Sequence, residues 1–461
     1  MPVTDLWTSA EIAAATDGQA SATFSVTGVA FDSREVGPGD LFIALPGETT
    51  DGHRFVDQAF ASGAGGAITA RKVDHPHVLV ADTAAALNAL GAASRARTQA
   101  KIIGVTGSVG KTGTKEALFH ALDRSAPGHA HRSLKSYNNH VGVPLSLSRM
   151  PRDTRYGIFE MGMNHAGELT ELAKMVRPNV AIITAIAPAH KAFFDTVEAI
   201  ADAKAEIFAG LEPGGTAIIP YDSPYAGRLR KAAERYAWRT VTFGLGEGAD
   251  VRAVDMVRAA SGGTLVTVKL PRAEICLTIG QPGEHWVSNA LAVLAAVEAV
   301  GGDLAAAGLA LAELPGLPGR GARVQVSLPQ GEALLIDESY NANPLSMEAT
   351  LKQLGREQGR HLAVLGAMRE LGEESDAFHA ALAEPISAAA VDLVILVGPE
   401  MRPLAERLEG RIGIAHVADA EAAAERLKSE LRAGDAVLVK GSNSVGLSRL
   451  VAALAGGKKE S

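Results

Sequence analysis

Cysteine is nearly absent from this chain. Its 461 residues include one cysteine, Cys276, so no disulfide can form within the chain and no cluster of thiolates can bind a metal. The neighbours of Cys276 alternate in the manner of a strand, which predicts a buried and unreactive thiol. The sequence therefore argues against a disulfide-stabilised secreted domain and against a zinc site made of cysteines.

The chain also has fewer basic than acidic residues and lacks long apolar runs, and these features exclude further functional classes. Acidic residues outnumber basic ones, with a formal net charge of −8, whereas nucleic-acid-binding proteins are usually basic. No apolar run reaches the roughly 18 residues that a membrane helix needs. The first residues carry an early acid and no basic segment of the kind that begins a signal peptide. We therefore expect a cytoplasmic protein that neither binds nucleic acid nor inserts into a membrane.

Glycine, by contrast, is abundant, and one glycine-rich stretch is the most informative part of the chain. Residues 104–112 read GVTGSVGKT and stand between a short apolar run and a helix-like segment at 115–122. Strand, glycine-rich turn, Lys-Thr and helix form the layout of a phosphate-binding loop, although Val105 replaces the first glycine of the common spacing. In such a loop Lys111 would reach the β/γ-phosphates and the Thr112 hydroxyl would hold Mg²⁺.

The chain is long enough for about three domains of ~150 residues each. The first hundred residues carry short strand-like stretches and end in a helix predicted over residues 83–98. From residue 100 strands and helices alternate, which predicts a parallel sheet, with an antiparallel addition at 239–277. Proline and glycine cluster at 314–321, which predicts a linker, and a second alternating set follows. The predicted fold is α/β with a small α/β N-terminal domain (1–99), a central phosphate-loop ATPase domain with a parallel sheet (100–314) and a Rossmann-like C-terminal domain (315–461).

Two polar residues follow apolar strand-like runs of the central region. Glu160 ends YGIFE and His190 ends VAIITAIAPAH. In an open parallel sheet the carboxyl ends of strands line the ligand crevice, so both could be Mg²⁺ ligands beside Thr112. Glu160 could equally be a helix-capping acid, and His190 could equally be a satisfied polar residue at a strand edge. Lys204 lies in a helix-like segment, where a solvated surface lysine is the simplest interpretation.

Seven separated motifs, in order over nearly the whole chain, resemble the Mur ligase family. They read TGSVGKT (106–112), SYNNHVGVP (136–144), EMGMNHAGEL (160–169), APAHKAFF…IADAKAEI (187–207), IDESYNANPLSM (336–347), GAMRELGEES (366–375) and LVKGS (438–442). The segment that starts at Asp32 is similar to the family's N-terminal UDP-binding domain. The family uses ATP to join an amine to a carboxylate through an acyl phosphate, so the resemblance implies an ATP-dependent amide ligase of peptidoglycan precursor synthesis.

The resemblance also implies roles for individual residues. The implied catalytic residues are Lys111, Lys204, His190, Glu160 and Arg320. The implied ligands of two Mg²⁺ ions are Thr112, Glu160, His190 and the carbamate that CO₂ forms on Lys204. The implied nucleotide-binding residues are Thr106, Gly107, Ser108, Gly110, Lys111, Thr112, Asn289, Arg320, Asp337, Tyr340 and Asn341. The implied substrate-binding residues are Ser33, Arg34, His53 and Asn139. Among these, Asn289 would meet the adenine, Asp337 the ribose, and Arg320 the γ-phosphate once the C-terminal domain closes.

The paired motifs SYNANP and GAMRELGE favour the branch of the family that adds D-Ala-D-Ala to UDP-MurNAc-tripeptide. These two small molecules are the expected partners, one for each outer domain, with ATP in the centre, and we expect a monomer. The chain departs from the family at two positions. Trp286 stands where the family usually has asparagine, and Asn443 stands where it usually has arginine.

Four other interpretations compete with this one. A sister ligase that adds the third residue of the stem peptide shares the N-terminal domain, and folylpolyglutamate synthase shares the ATP core. A non-catalytic nucleotide switch would bind nucleotide without forming an amide, and gives no reason for Glu160, His190 and Lys204 together. A phosphotransferase would make ADP without needing an amine.

Overall fold

The structure, a computed structural model, describes residues 5–47, 50–188, 193–259 and 263–456. The strands of the described residues form one two-stranded pair and three larger sheets of five, nine and six strands. Helices separate most of the parallel strands, so the predicted α/β class is confirmed.

The N-terminal sheet has the order β2-β7-β6-β5-β4, in which only β2 runs antiparallel to its neighbour. The helix predicted over residues 83–98 is α3, whose first N–H groups are capped by Asp82. A separate strand pair joins β1 to β3. The elements are β1 (Trp7–Thr8), α1 (Ser9–Thr16), β2 (Gln19–Ala20), β3 (Ser25–Val26), β4 (Gly28–Ala30), β5 (Asp40–Ile43), α2 (Val56–Ala61), β6 (Gly66–Thr69), β7 (His77–Leu79) and α3 (Thr83–Ala96).

The central sheet has the order β16-β15-β14-β13-β12-β11-β8-β10-β9. The elements are β8 (Lys101–Thr106), α4 (Lys111–Ser125), β9 (Ala130–Arg132), α5 (Gly142–Ser148), β10 (Tyr156–Glu160), α6 (Glu168–Val176), β11 (Val180–Ile183), α7 (Val197–Ala205), β12 (Thr216–Pro220), α8 (Ala226–Ala233), β13 (Arg239–Gly244), β14 (Val251–Arg258), β15 (Thr264–Lys269), β16 (Glu274–Ile279), α9 (Glu284–Ala299) and α10 (Leu304–Glu313). Strand β8 lies between β10 and β11, so the chain leaves it first to one side and then to the other. Such a switch point opens a crevice at the carboxyl ends of the strands.

The antiparallel addition predicted at 239–277 is smaller than expected. Strands β13 and β14 continue the parallel set, and only β15 and β16 run antiparallel. The prediction of a buried Cys276 is wrong: the residue is exposed. The strand does alternate, but Leu277 and Ile279 take the core face, and Cys276 shares the opposite face with Glu274.

Helices cover both faces of the central sheet. Helices α4, α9 and α10 pack in one apolar core, and helices α5 to α8 pack in the other. Helix α3 of the N-terminal region packs on α5, where a Cβ atom at Gly91 would lie 3.0 Å from the backbone of Pro144. This close contact places the N-terminal sheet next to the central crevice.

The C-terminal sheet has the order β17-β18-β22-β19-β20-β21, parallel except for β17. The four strands predicted here are present as β18, β19, β20 and β22, and the prediction missed β17 and β21. The elements are β17 (Ala322–Leu328), β18 (Gly331–Glu338), α11 (Pro344–Leu354), β19 (His361–Gly366), α12 (Ser375–Ala381), α13 (Ala383–Ala388), β20 (Leu393–Val397), α14 (Arg402–Leu408), β21 (Gly413–Val417), α15 (Ala420–Glu430), β22 (Ala436–Lys440) and α16 (Leu447–Ala455).

Candidate active site

The glycine-rich stretch forms a tight loop between β8 and α4. Gly107 has φ of +150°, and a Cβ atom there would lie 2.0 Å from Oγ1 of Thr184, so this position requires glycine. Gly110 precedes the helix in the left-handed region and supplies no side-chain cap. The first N–H groups of α4 therefore lack intrahelical acceptors and face the crevice as donors for an anion.

Lys111 begins helix α4 beside these donors. Its Nζ donates to the carbonyl of Gly107 at 2.6 Å, so the side chain folds back over the loop. Burial lowers the pKa of Lys111 from its ordinary value, and the carboxylate of Glu160 opposes that shift. The ammonium group thus lies at the position expected for a phosphate contact.

Thr112 and Glu160 form the centre of the site. Oγ1 of Thr112 donates to Oε2 of Glu160 at 2.8 Å, and the Glu160 side chain is almost fully buried at 1% exposure. Nδ2 of Asn138 donates to the other carboxylate oxygen at 2.8 Å. Hydroxyl and carboxylate oxygens are ligands that Mg²⁺ prefers, and this ion commonly completes its shell with water and phosphate oxygens. The donor set therefore fits the metal implied by the sequence.

Lys204 lies in the same cavity rather than on a solvated helix face. The residue lies in the last turn of helix α7 and is 1% exposed, and its side chain has no hydrogen-bond or ion-pair partner in the described part of the chain. Burial, with the positive charge of Lys111 adding to it, lowers the pKa of Lys204 well below its ordinary value. Burial with a like charge nearby therefore favours the neutral amine over the ammonium form.

His190 lies outside the described residues, so its predicted role is carried by the sequence alone. The segment that leads to it is anchored to the phosphate-binding loop. Oγ of Ser108 donates to the carbonyl of Ala187 at 3.0 Å, and the N–H of Ala187 donates back to Oγ. Thr106, also predicted to bind nucleotide, ends β8 as a fully buried residue and does not line the cavity.

The cavity, of about 910 Å³, continues to the start of helix α9. Asn289 lines it, and a Cβ atom at Gly110 would lie 2.7 Å from Oδ1 of this asparagine. Trp286 is buried beneath the helix start, with Cη2 of its indole 3.1 Å from the place a Cβ atom of Gly113 would take. The bare backbone of Gly113 thus makes room for the tryptophan that departs from the family pattern.

The linker brings Arg320 to the cavity. One of its terminal nitrogens donates to Oγ of Ser136 at 3.0 Å, and its guanidinium lies over the ring of Tyr340 at 4.1 Å. Gly319 turns with φ of +72°, where a side chain would approach Cβ of Tyr340 at 2.8 Å. Two predicted nucleotide-binding residues, Arg320 and Tyr340, therefore form one unit at the mouth of the site.

The structure does not bring Asp337 to the cavity. One carboxylate oxygen accepts from the N–H of Gly319 at 2.7 Å, and the other accepts from the N–H and hydroxyl of Ser339. Asp337 therefore fixes the linker turn. Its neighbour Glu338 lines the cavity instead, 3.5 Å from Nζ of Lys440, and burial raises the pKa of Glu338.

Asn341 faces the same cavity, but its contact with the buried Lys440 is made by its backbone. Nζ of Lys440 donates to the carbonyl of Asn341 at 2.9 Å, which ties the asparagine-rich loop to the end of β22. Burial lowers the pKa of Lys440, although the carboxylate of Glu338 opposes that shift. The LVKGS motif therefore contributes a cation to the C-terminal wall of the site.

The predicted substrate-binding residues are not gathered in this cavity. Asn139 holds the turn that leads into helix α5, because its Oδ1 accepts from the N–H groups of Val141 and Gly142 at 3.2 and 2.9 Å. Its neighbour Asn138, which the sequence analysis passed over, is the one that reaches Glu160. Only the doubled asparagine in the motif could have drawn attention to it.

The other three predicted substrate residues belong to the N-terminal region. Ser33 donates to Gln58 at 3.3 Å, and the exposed Arg34 pairs with Asp32. Both ring nitrogens of His53 are engaged: Nε2 accepts from the N–H of Ala70 at 2.8 Å, and Nδ1 lies 2.7 Å from Asp51. Arg34 thus has the most accessible side chain of the three, and His53 has a structural role.

Family models match three consecutive parts of the chain. They describe residues 25–104 as the Mur ligase family catalytic domain, 105–297 as the Mur ligase middle domain and 319–443 as the Mur ligase glutamate ligase domain. A relative from Escherichia coli (strain K12), UDP-N-acetylmuramoyl-tripeptide–D-alanyl-D-alanine ligase, is 35% identical over 438 residues, 94% of each chain. This chain belongs to the Mur ligase family.

Two solved structures resemble this Mur ligase over nearly their full length. MurF from Acinetobacter baumannii has a TM-score of 0.85 and 31% identity, with 99% of this chain and 100% of that chain covered. MurF ligase from Thermotoga maritima, in complex with ADP, has a TM-score of 0.76 and 30% identity, with 92% and 96% covered. Within the described ranges this Mur ligase has no helix with the length and apolar character needed to cross a membrane.

Proposed function

We propose that this Mur ligase uses ATP to join D-alanyl-D-alanine to UDP-N-acetylmuramoyl-tripeptide in the synthesis of peptidoglycan precursors. The observation that carries the proposal is one cavity in which the phosphate-binding loop, Lys204 and Glu160, whose carboxylate accepts a hydrogen bond from Thr112, meet Arg320 of the linker. Full-length relatives named for this reaction support the choice of substrates.

The proposed reaction has two steps. A carboxylate oxygen of the tripeptide attacks the γ-phosphorus of ATP, the bond between this phosphorus and ADP breaks, and an acyl phosphate forms. The neutral amine of D-Ala-D-Ala then attacks the acyl carbon, a carbon–nitrogen bond forms, the nitrogen loses one proton to solvent, and inorganic phosphate leaves. Such a reaction depends on charge stabilisation and alignment rather than on a protein nucleophile, which suits a site made of donors, cations and carboxylates.

The nucleotide would lie along the start of α4. Its phosphates would meet the first N–H groups of the helix and Lys111, while Arg320 would reach the γ-phosphate. Asn289 would contact the base. For the ribose we propose Glu338 in place of Asp337, because Glu338 faces the cavity and the oxygens of Asp337 are occupied. Tyr340 would hold Arg320 in position by stacking.

Thr112 and Glu160 would hold one Mg²⁺, and His190 with a carbamate on Lys204 would hold a second. Bound there, magnesium would neutralise the phosphate charge. The burial of Lys204 supports the carbamate: the neutral amine nitrogen attacks the carbon of CO₂, a nitrogen–carbon bond forms, and one N–H proton is released. The carbamate would thus put a negative charge, which suits a metal cation, in the place of an unpaired buried amine.

We also propose the domain division at 1–99, 100–314 and 315–461, a monomeric state and a cytoplasmic location. Each domain would bring one reactant: the UDP-linked peptide to the first, with Arg34 as its most accessible candidate contact, ATP to the second, and D-Ala-D-Ala to the third. Closure about the linker at 315–319 would exclude water from the acyl phosphate.

The test is phosphate release from ATP and Mg²⁺ with UDP-MurNAc-tripeptide, with and without D-Ala-D-Ala, while the product is followed by mass. We expect release that depends on the dipeptide and a mass gain that matches its addition. Turnover with a single amino acid on the shorter precursor would assign the sister ligase reaction instead. Nucleotide binding without any amine-dependent turnover would favour the switch or phosphotransferase interpretations.

A further inference from the structure

Residues 133–139, which we call the bridging loop, contact three different parts of the chain. On the N-terminal side, the side chains of Lys135 and Tyr137 both bond to Glu35. The Tyr137 hydroxyl lies 3.0 and 3.1 Å from the two carboxylate oxygens, and the Lys135 ammonium donates to one of them. Glu35 directly follows the Ser33-Arg34 pair, so the bridging loop is joined to the proposed substrate domain.

On its other side the bridging loop reaches the linker and the metal site. Ser136 accepts from Arg320 at 3.0 Å, and Asn138 donates to Glu160 at 2.8 Å. The hydroxyl of Ser133 also accepts from the backbone N–H of Glu160 at 3.0 Å. One loop of seven residues therefore touches the N-terminal region, the linker and the proposed Mg²⁺ ligand.

The bridging loop is fastened from beneath by a lysine that the proposed reaction does not use. Lys115, one helical turn after Lys111, is completely buried at 0% exposure. Its Nζ donates to the carbonyl of Lys135 at 2.7 Å, lies 3.0 Å from Glu116 and lies 3.9 Å from Glu160. A charge so deeply buried is retained only with specific partners, and here they are the loop backbone and two carboxylates.

The backbone at the point of attachment is strained. Lys135 has φ of +51°, a left-handed conformation that non-glycine residues rarely adopt. Such a conformation persists only where the surroundings impose it. The bond from Lys115 to the carbonyl of Lys135 and the bond from the Lys135 side chain to Glu35 hold this residue from both sides.

We propose that Lys115 is a positioning residue that fixes the bridging loop, so that contact of the loop with Glu35 is transmitted through Asn138 to the carboxylate of Glu160. The inference rests on the proposed function only in taking Glu160 as a Mg²⁺ ligand. Lys115 could instead be a simple core ion pair, and the two roles differ in what they predict for metal binding.

The test measures Mg²⁺ affinity in the ADP complex by calorimetry, which requires no ligation and stands even if the ligase assay fails. Lys115→Met leaves Glu116 paired with Arg132, whose Nε lies 2.7 Å from it. We expect this variant to bind Mg²⁺ about tenfold more weakly or worse, which is the usual effect of removing a group that orients a metal ligand. The affinity for ADP in the absence of Mg²⁺ should stay the same. Glu35→Ala should weaken Mg²⁺ binding roughly threefold, as for an exposed ion pair.

Combining the two substitutions decides between the roles. If both act through the bridging loop, the double variant should bind Mg²⁺ no more weakly than Lys115→Met alone. Lys174→Met, which removes an exposed ion pair with Glu171 on helix α6, is the matched control and should change nothing. Effects that multiply, or wild-type Mg²⁺ affinity in Glu35→Ala, would overturn the proposal, and the second result decides even if Lys115→Met fails to fold.

Discussion

The positive charge of Lys111 adds to burial in lowering the pKa of Lys204, and both side chains face one cavity. The cation that we propose for phosphate binding thus favours the neutral form of its neighbour. Because only the neutral amine reacts with CO₂, this geometry supports the carbamylation that we propose for Lys204.

We therefore expect the activity to depend on dissolved CO₂. In CO₂-free buffer the wild-type rate should fall by at least about tenfold, since loss of an anionic metal ligand costs no less than loss of its supporting contacts, and bicarbonate should restore it. Lys204→Met should be slow with or without bicarbonate. Intact-protein mass spectrometry should show the carbamate only in the wild type. Equal rates with and without CO₂ would rule out this role for Lys204.

Substitutions of the neighbouring acids Asp337 and Glu338 should differ in their effect on ADP affinity. Asp337→Asn must lose an acceptor for Gly319 or for Ser339, which costs about 1–3 kcal/mol for a buried hydrogen bond, so the unfolding midpoint should fall. Its ADP affinity should change little. Glu338→Gln removes the carboxylate that faces the buried Lys440, so its midpoint should fall as well, but it should also bind ADP about tenfold more weakly if the carboxylate holds the ribose. A pattern in which Asp337→Asn alone loses ADP affinity would restore the sequence-based assignment.

These two acids show where sequence reasoning stopped. The phosphate-binding loop was predictable because its spacing, turn and helix lie within one short segment, and the strand–helix alternation gave the α/β class. The sequence could not tell which of two adjacent acids faces the cavity, because Asp337 is engaged by Gly319, 18 residues away. The sequence likewise could not tell which of two adjacent asparagines contacts Glu160, because the turn before helix α5 engages Asn139.

The role proposed for Lys115 could not be predicted from the sequence. Its position after the phosphate-binding loop reads as an ordinary helix lysine, and its partner Lys135 lies 20 residues away in a loop. The exposure of Cys276 also depended on tertiary structure, since alternation shows that a strand has two faces without showing which one meets the core.

Acid should destabilise the protein through His131. Its Nε2 donates to the carbonyl of Ser146 at 2.8 Å, and burial lowers the pKa of His131 from its ordinary value of 6.5 to about 4. Between these values the unfolded chain binds more protons, so stability is complete above pH 6.5 and is lost as the pH falls towards 4. By pH 5 the loss should reach about 2 kcal/mol.

The substitution His131→Gln checks this assignment, because glutamine keeps an N–H donor but does not titrate. Unfolding midpoints measured from pH 7 to pH 5 should fall less steeply in the variant than in the wild type. Parallel curves for the two proteins would show that other groups control the acid response.

The close fit between Gly113 and Trp286 predicts that a substitution at one position can compensate for a substitution at the other. A valine at position 113 would push its methyl groups towards an indole that already lies 3.1 Å from the Cβ position, and overpacking of this kind costs about 1–3 kcal/mol. Because Gly113 directly follows Thr112, the displacement should reach the phosphate site, and Gly113→Val should weaken ADP binding about tenfold. Trp286→Phe in the same chain should recover most of that loss by clearing the space.

Gly227→Val is the matched control, since this helical glycine faces open space and its replacement should leave ADP affinity unchanged. Failure of Trp286→Phe to rescue would mean that position 113 acts through the backbone of α4 rather than through the tryptophan.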